Sequence, residues 1–381
     1  MFRNRMERKF DNIYNQAQKK KNQISFDFKT EKLVCFSDHH KGDSSAADDF
    51  RKNAALYDEV LSFYKKEDYK LLVVGDNEEL WENRYAEILR SYRSLIKKEI
   101  DMSLETLDGE KIRIFGNHDK EVSLGSFGRQ IKKEQEHILD CVQYKEGICL
   151  GDSIFFIHGH QGRFFDDKAW KISRWAVQFI WKTIQKILRI GSDGPSENYE
   201  IRDDMEKKYY KWAKKNKVFL ICGHTHRAIF GSLTHFDRIQ INLAHLQSEL
   251  KRAPQEERTN LIRAIQTNQS SVTKILKSRK NKRPEAFETR PIPCYFNSGC
   301  CCYTNGMTCL ELDRGQIRLI KWQRQDKSRH ILAEARMNVL MDYIFHCRPV
   351  DEGIEPLLKN IPLDLRSLGQ GGTKGGGKRT P

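Results

Sequence analysis

Five short stretches of the chain end in side chains with the types and spacing to do chemistry. Asp38 and His40 lie in "LVCFSDHHKGD", Asp76 closes "LLVVGD", Asn117, His118 and Asp119 close "IRIFGNHD", His158 and His160 close "SIFFIHGH", and His224 and His226 close "VFLICGHTH". Asp38, His40, Asp76, Asn117, His158, His224 and His226 offer oxygen or nitrogen and no thiolate, a set suited to hard or borderline divalent cations. Two such ions about 3.5–4 Å apart can acidify a shared water, clamp phosphoryl oxygens and stabilise a departing oxygen. Any one of these residues alone reads equally well as a cap or a turn residue. Their joint recurrence points to a dinuclear site.

Something must bring these segments together, and the text around them says what. Each stretch begins as an apolar, β-prone run. Between the first three runs lie the helical patterns "DDFRKNAALYDEVLSFYKK" and "RYAEILRSYRSLIKKEI". Strands alternating with helices predict an α/β fold, and in such sheets ligands bind beyond the carboxyl ends of the strands. Gly75, Gly116, Gly159 and Gly223 give the backbone room to turn beside the donors. His39 alternates away from His40 and reads as structural.

The domain reading follows from texture. Residues 1–30 form a basic helix and linker, with Phe2, Met6, Phe10, Ile13 and Tyr14 as an apolar stripe. A main domain spans 31–330, with helical insertions at about 161–215 and 240–290. A C-terminal helical extension covers 331–368, and a Gly/Lys-rich tail at 369–381 reads as disordered. In the first insertion Trp170, Val177, Ile180, Trp181, Ile184, Ile187 and Leu188 fall near one stripe of a basic helix, a pattern that fits a lid over an apolar substrate, a membrane contact or ordinary core packing. "IPCYFNSGCCCYTNGMTCLELDRGQIRLIKW" reads as closing strands, with Cys300, Cys301 and Cys302 as small buried groups.

Lys and Arg total 67 against 52 Asp and Glu, a formal charge of +15. That balance favours polyanionic partners: a phosphorylated ligand, nucleic acid or an anionic membrane surface. The ten cysteines show no paired spacing, which fits a reducing cytoplasm better than a disulfide framework. The charged N-terminus lacks the apolar centre of a secretory signal, and no apolar run approaches the ~18 residues of a membrane span. The expectation is a cytoplasmic protein, soluble or peripheral at the membrane.

The ordered set D-x-H, G-D, G-N-H-D, a lone His and G-H-x-H resembles the calcineurin-like metallophosphoesterases across residues 38–226. The resemblance implies an α/β/β/α sandwich of two mixed sheets flanked by helices. It also implies a phosphoesterase that hydrolyses a phosphate ester or diphosphate bond through a hydroxide bridging two divalent ions, with manganese expected and iron or zinc as alternatives. By it, Asp38, His40 and His226 hold one ion, Asn117, His158 and His224 the other, and Asp76 bridges them. His118 stabilises charge beside the bound phosphate or protonates the departing oxygen, with Asp119 orienting its ring, and Asn117 also meets the substrate. From their position just beyond the metal edge, His160 and Arg163 read as phosphate contacts or equally as solvated loop residues. "GDNEELWE" is similar to the G-D-x-x-E-x-W segment of UDP-2,3-diacylglucosamine diphosphatases, which suggests a UDP-sugar-lipid-like substrate, although that branch has G-N-R-D where this chain has His118. A nuclease or nucleotide phosphodiesterase, or a scaffold that binds polyanions without turnover, are the competing readings.

Overall fold

In the computed structural model, which describes residues 5–19, 24, 26–123, 142–161, 196–279, 287–288 and 290–350, the first apolar run is strand β1 (Lys32–Phe36). Its alternation sets the layers. Leu33 and Cys35 point into the core between two sheets, whereas Val34 and Phe36 point at helices on the opposite side. Both faces are buried, which is why the run is apolar throughout rather than alternating.

The first sheet pairs β1 in parallel with β2 (Lys70–Val73) and antiparallel with β10 (Gly306–Asp313), and continues through β11 (Gln316–Gln323) to β12 (Arg329–Arg336). The second sheet runs β5 (Gly147–Leu150), β6 (Ile154–Ile157), β7 (Phe219–Cys222), β9 (Tyr295–Ser298) and β8 (Ala228–Ile229). A parallel pair, β3 (Lys111–Ile114) with β4 (Val142–Lys145), joins β2 through a bridge between Val74 and Ile114. Helices α2 (Ala54–Lys66) and α3 (Tyr85–Met102) cover the outer face of the first sheet through Tyr57, Leu61, Tyr64, Ile88 and Ile96. On the second sheet, α1 (Arg5–Ala17) buries Met6, Phe10, Ile13 and Ala17, and Phe10 stacks on Tyr209 of α4 (Ser196–Asn216). The fold is an α/β/β/α sandwich of two mixed sheets flanked by helices.

Two expected boundaries move. Residues 331–336 belong to strand β12, so the sheet runs past the boundary placed at 330; helix α7 (Met337–Phe345) begins only after it. Ala333 and Ala335 are buried on one face of β12, and pairing with β11 overrides the helical preference of "ILAEAR". The second insertion is a helical hairpin, α5 (His235–Arg252) and α6 (Gln255–Ser278), that begins before residue 240. Thr234 and Asp237 start it with a reciprocal capping box, and Ile239, Leu243 and Ile265 form a small core of its own. The Trp-rich stripe at 170–188 and the tail at 369–381 lie outside the described residues. Among the described residues no helix is long and apolar enough to cross a membrane.

Candidate metal centre

The donor loops are extensions of the parallel pairing between β1 and β2. Past the strands, Asp38 N donates to Gly75 O at 3.1 Å, His40 N to Asp76 O at 3.0 Å and Lys41 N to Asn77 O at 3.0 Å. The two loops therefore climb side by side. Asp38, His40, Asp76, His224 and His226 all adopt left-handed backbone angles, with φ between 50° and 68°. Such angles are uncommon for residues other than glycine and concentrate at functional sites. Gly116 shows why the loops need glycine: a Cβ there would stand 2.0 Å from Asp76 Oδ1 and 2.6 Å from Asp76 N.

Six of the seven predicted donors fall into two groups. Asp38, His40 and His226 form one group that could hold a cation, and Asp76, His158 and His224 form another. In the first, His226 Nε2 stands 3.1 Å from Asp38 Oδ1 and 3.2 Å from His40 Nε2. In the second, His158 Nε2 stands 3.0 Å from Asp76 Oδ2, and the same Asp76 oxygen is 3.9 Å from His40 Nε2. Asp76 thus touches both groups. Asn117 is buried nearby with its Oδ1 lacking a hydrogen-bond partner among the described residues.

The hydrogen bonds set the tautomers. His158 Nδ1 donates to Val74 O at 2.8 Å, which leaves its Nε2 lone pair facing the Asp76 carboxylate. His40 Nδ1 donates to Glu79 at 2.9 Å and likewise presents Nε2. Lone pairs set against carboxylate oxygens at this range are costly unless a cation lies among them. The electrostatics agree. Burial alone would lower His158, yet Asp76 draws it up to about 9. Burial is likewise overcome at His40, where the Glu79 hydrogen bond and the Asp76 and Asp38 charges raise it to about 10. A field that draws a proton that strongly also draws a divalent ion. The residues present fit a metal centre.

His118 stands beside this centre, its ring 4.6 Å from that of His40 and stacked on Trp81 at 4.0 Å. Its Nδ1 meets the Glu79 carboxylate at 2.8 Å. The orienting role expected of Asp119 therefore falls to Glu79, which holds His118 and His40 at once. Asp119 instead accepts from Gly116 N at 2.6 Å and Asn77 N at 2.8 Å, fastening the third donor loop to the second. Burial, with Asp76 and Glu78 nearby, pushes Asp119 up to about 7.

His160 is fully buried rather than set at the rim, with its ring 5.5 Å from that of His158 and neither nitrogen bonded among the described residues. Arg163 lies outside the described residues. His39 turns away as expected and packs on Tyr57 at 4.7 Å. Cys302 Sγ contacts His39 O at 2.8 Å, which anchors the cysteine run under the first loop.

A buried ion network supports the loops from below. Lys41 Nζ donates to Glu99 Oε1 at 2.6 Å, Arg113 donates to Glu99 Oε2 at 2.7 Å and to Glu78 Oε1 at 3.0 Å, and Asn77 Nδ2 joins both glutamates. Lys41, Glu78 and Glu99 are wholly enclosed. Removing one member of such a network leaves an unpaired buried charge and costs about 3–5 kcal/mol. Nothing in the sequence flags it, except that Arg113 interrupts an otherwise apolar strand.

With this geometry in view, the chain matches the calcineurin-like phosphoesterase family over residues 31–228 and belongs to it. The family and the donor groups together define a metal-dependent phosphoesterase that uses divalent ions. A comparison with curated proteins found none that matches the chain.

Proposed function

We propose that the protein hydrolyses a phosphate ester or diphosphate bond at a dinuclear centre, with Asp38, His40 and His226 holding one divalent ion, Asn117, His158 and His224 the other, and Asp76 shared. The observation that carries this reading is the position of Asp76 Oδ2, 3.0 Å from His158 Nε2 and 3.9 Å from His40 Nε2. When bound, the ions supply Lewis acidity and an activated water. Manganese is the expected metal, with iron or zinc as alternatives, since nitrogen and oxygen donors without thiolate suit all three.

The chain's own residues supply the rest. Glu79 fixes the His118 ring from Nδ1, and Trp81 backs its face, so the far nitrogen is the one presented to a leaving group. Although burial opposes it, Glu79 and Asp76 favour the protonated ring. His118 then gives its proton to the departing oxygen. The substrate class is a phosphorylated small molecule or a lipid-linked one such as a UDP-sugar-lipid. The G-D-x-x-E-x-W segment supports this, because Glu79 and Trp81 both reach the reacting histidine.

The test is hydrolysis of a chromogenic monoester and the matching diester across a manganese titration, comparing wild type with His118→Ala and Asp76→Ala. Asp76→Ala should lose activity together with metal, and His118→Ala should lose turnover with metal retained. Equal metal loss in both variants would overturn the division of roles.

A further inference from the structure

Helix α4 meets two of the donor loops along one face. Asp203, Glu206 and Tyr209 follow one another at helical spacing and lie on neighbouring turns of that face. The Tyr209 hydroxyl donates to the carbonyl of Gly159, the residue after His158. Asp203 accepts from the guanidinium of Arg227, the residue after His226, and Glu206 Oε2 stands 3.3 Å from the same nitrogen. Asp203 also accepts from Arg279, the residue that closes α6, at 2.6 Å. Glu206 is wholly enclosed, and Asp203 and Arg279 are buried. An ionic hub therefore ties α4 and the end of the helical hairpin to the loop that carries His224 and His226.

His226 depends on outside support more than the other members of its group. Its side chain is 33% exposed, against 13% for His40 and 0% for Asp38. Bonds at Nδ1 fix the rings of His158 and His40, whereas the supports at His226 act on the backbone. Tyr303 donates to its carbonyl, and Arg227 anchors the next residue. The loop it holds is left-handed at both histidines, with φ 68° at His224 and 57° at His226. Such conformations cost of order 1–3 kcal/mol each and persist only where the surroundings over-determine them. The start of the loop is fixed by His224 N, which donates to the two Asp38 oxygens at 2.9 and 3.1 Å. Arg227 fixes its end.

We propose that Arg227, gripped by Asp203 and Glu206, is the positioning residue that sets His226 for the first ion, so that breaking the grip weakens that ion and spares the one assigned to Asn117, His158 and His224. The proposal rests on the dinuclear reading and adds α4 to the machinery of the site. Arg227 itself touches no reacting atom. Losing an outer partner that bonds a ligand directly costs about 10–100-fold in metal affinity; acting from one residue away, Arg227 falls at the lower end.

The test compares the full chain with Arg227→Met, Arg227→Lys and Asp203→Asn, each shown to be folded by circular dichroism. In a calorimetric manganese titration wild type should bind about two ions, as a two-metal site requires. Arg227→Met should weaken one of them about tenfold and leave the other within about twofold. Asp203→Asn should shift the same step in the same direction, and Arg227→Lys, which keeps the charge, should recover most of the loss. Hydrogen exchange read by mass spectrometry follows the loop without metal: amides at 224–228 should exchange severalfold faster in Arg227→Met than in wild type. Both ions weakened equally, neither weakened, no recovery with lysine, or unchanged exchange would each overturn the proposal. A wild type that binds no manganese, with faster exchange in Arg227→Met, would instead sink the dinuclear reading and leave the brace on the loop standing.

Discussion

Replacing Glu79 by alanine is the sharpest perturbation of the proposed site, because one carboxylate serves two histidines. It accepts from His40 Nδ1 at 2.9 Å and from His118 Nδ1 at 2.8 Å, so the change strips the outer support from a metal donor and from the proton donor together. Loss of such a partner usually costs 10–100-fold in metal affinity or activity. With two rings released, the upper end applies: kcat/KM should fall about 100-fold, or about 2.7 kcal/mol. The two contacts separate in the assay. Manganese titration of chromogenic monoester hydrolysis reads the His40 contact as a rise in the metal concentration for half-activation, and turnover at saturating metal reads the His118 contact. Glu79→Gln keeps the shape but sets an amide N–H against one ring N–H, and should fall between wild type and alanine. Glu79→Ala within threefold of wild type in both readouts would refute the assignment of Glu79 as the shared support.

Gly116→Ala would drive a methyl to 2.0 Å from Asp76 Oδ1; it should abolish metal-dependent turnover, and activity above a tenth of wild type would contradict the close approach. Arg113→Met leaves Glu78 buried without its ion-pair partner and Glu99 with Lys41 alone, so chemical denaturation should report a loss of about 3–5 kcal/mol; a loss under 1 kcal/mol would deny the network its role. Burial alone would raise Glu99, but Lys41 and Arg113 hold it below its ordinary value of 4.5. Its contribution is therefore complete above that value and lost as the pH falls through the lower folded one. Wild-type stability should decline more steeply with acid than that of Glu99→Gln, and equal slopes would contradict this.

What could be read from the sequence was whatever lies directly behind an apolar run. Asp38, His40, Asp76, Asn117, His158, His224 and His226 each follow a buried strand within a few positions, so strand periodicity alone puts them on one edge of the sandwich. Residues that act through distant partners could not be read. Lys41 and Glu99 are separated by 58 positions, and a lysine that ends up wholly enclosed is written like one in water. Asp119, next to His118, invited the orienting role by adjacency, yet its carboxylate turns back to Gly116 and Asn77. Glu79 takes that role because the backbone ladder between the first two loops lifts it toward both rings. The boundary at 330 failed for a related reason, since Ala333 and Ala335 are helix formers locally and strand residues once β11 is beside them.

The central claim is that donors from five loops hold a pair of divalent ions through a shared Asp76. Metal content per folded chain, measured by elemental analysis after loading with manganese and exhaustive dialysis, tests it most directly. The account predicts about two ions per wild-type chain, as a two-metal site requires, about two in His118→Ala, and a loss of both in Asp76→Ala. A wild type that retains no metal, or an Asp76→Ala variant that retains as much as wild type, would contradict it.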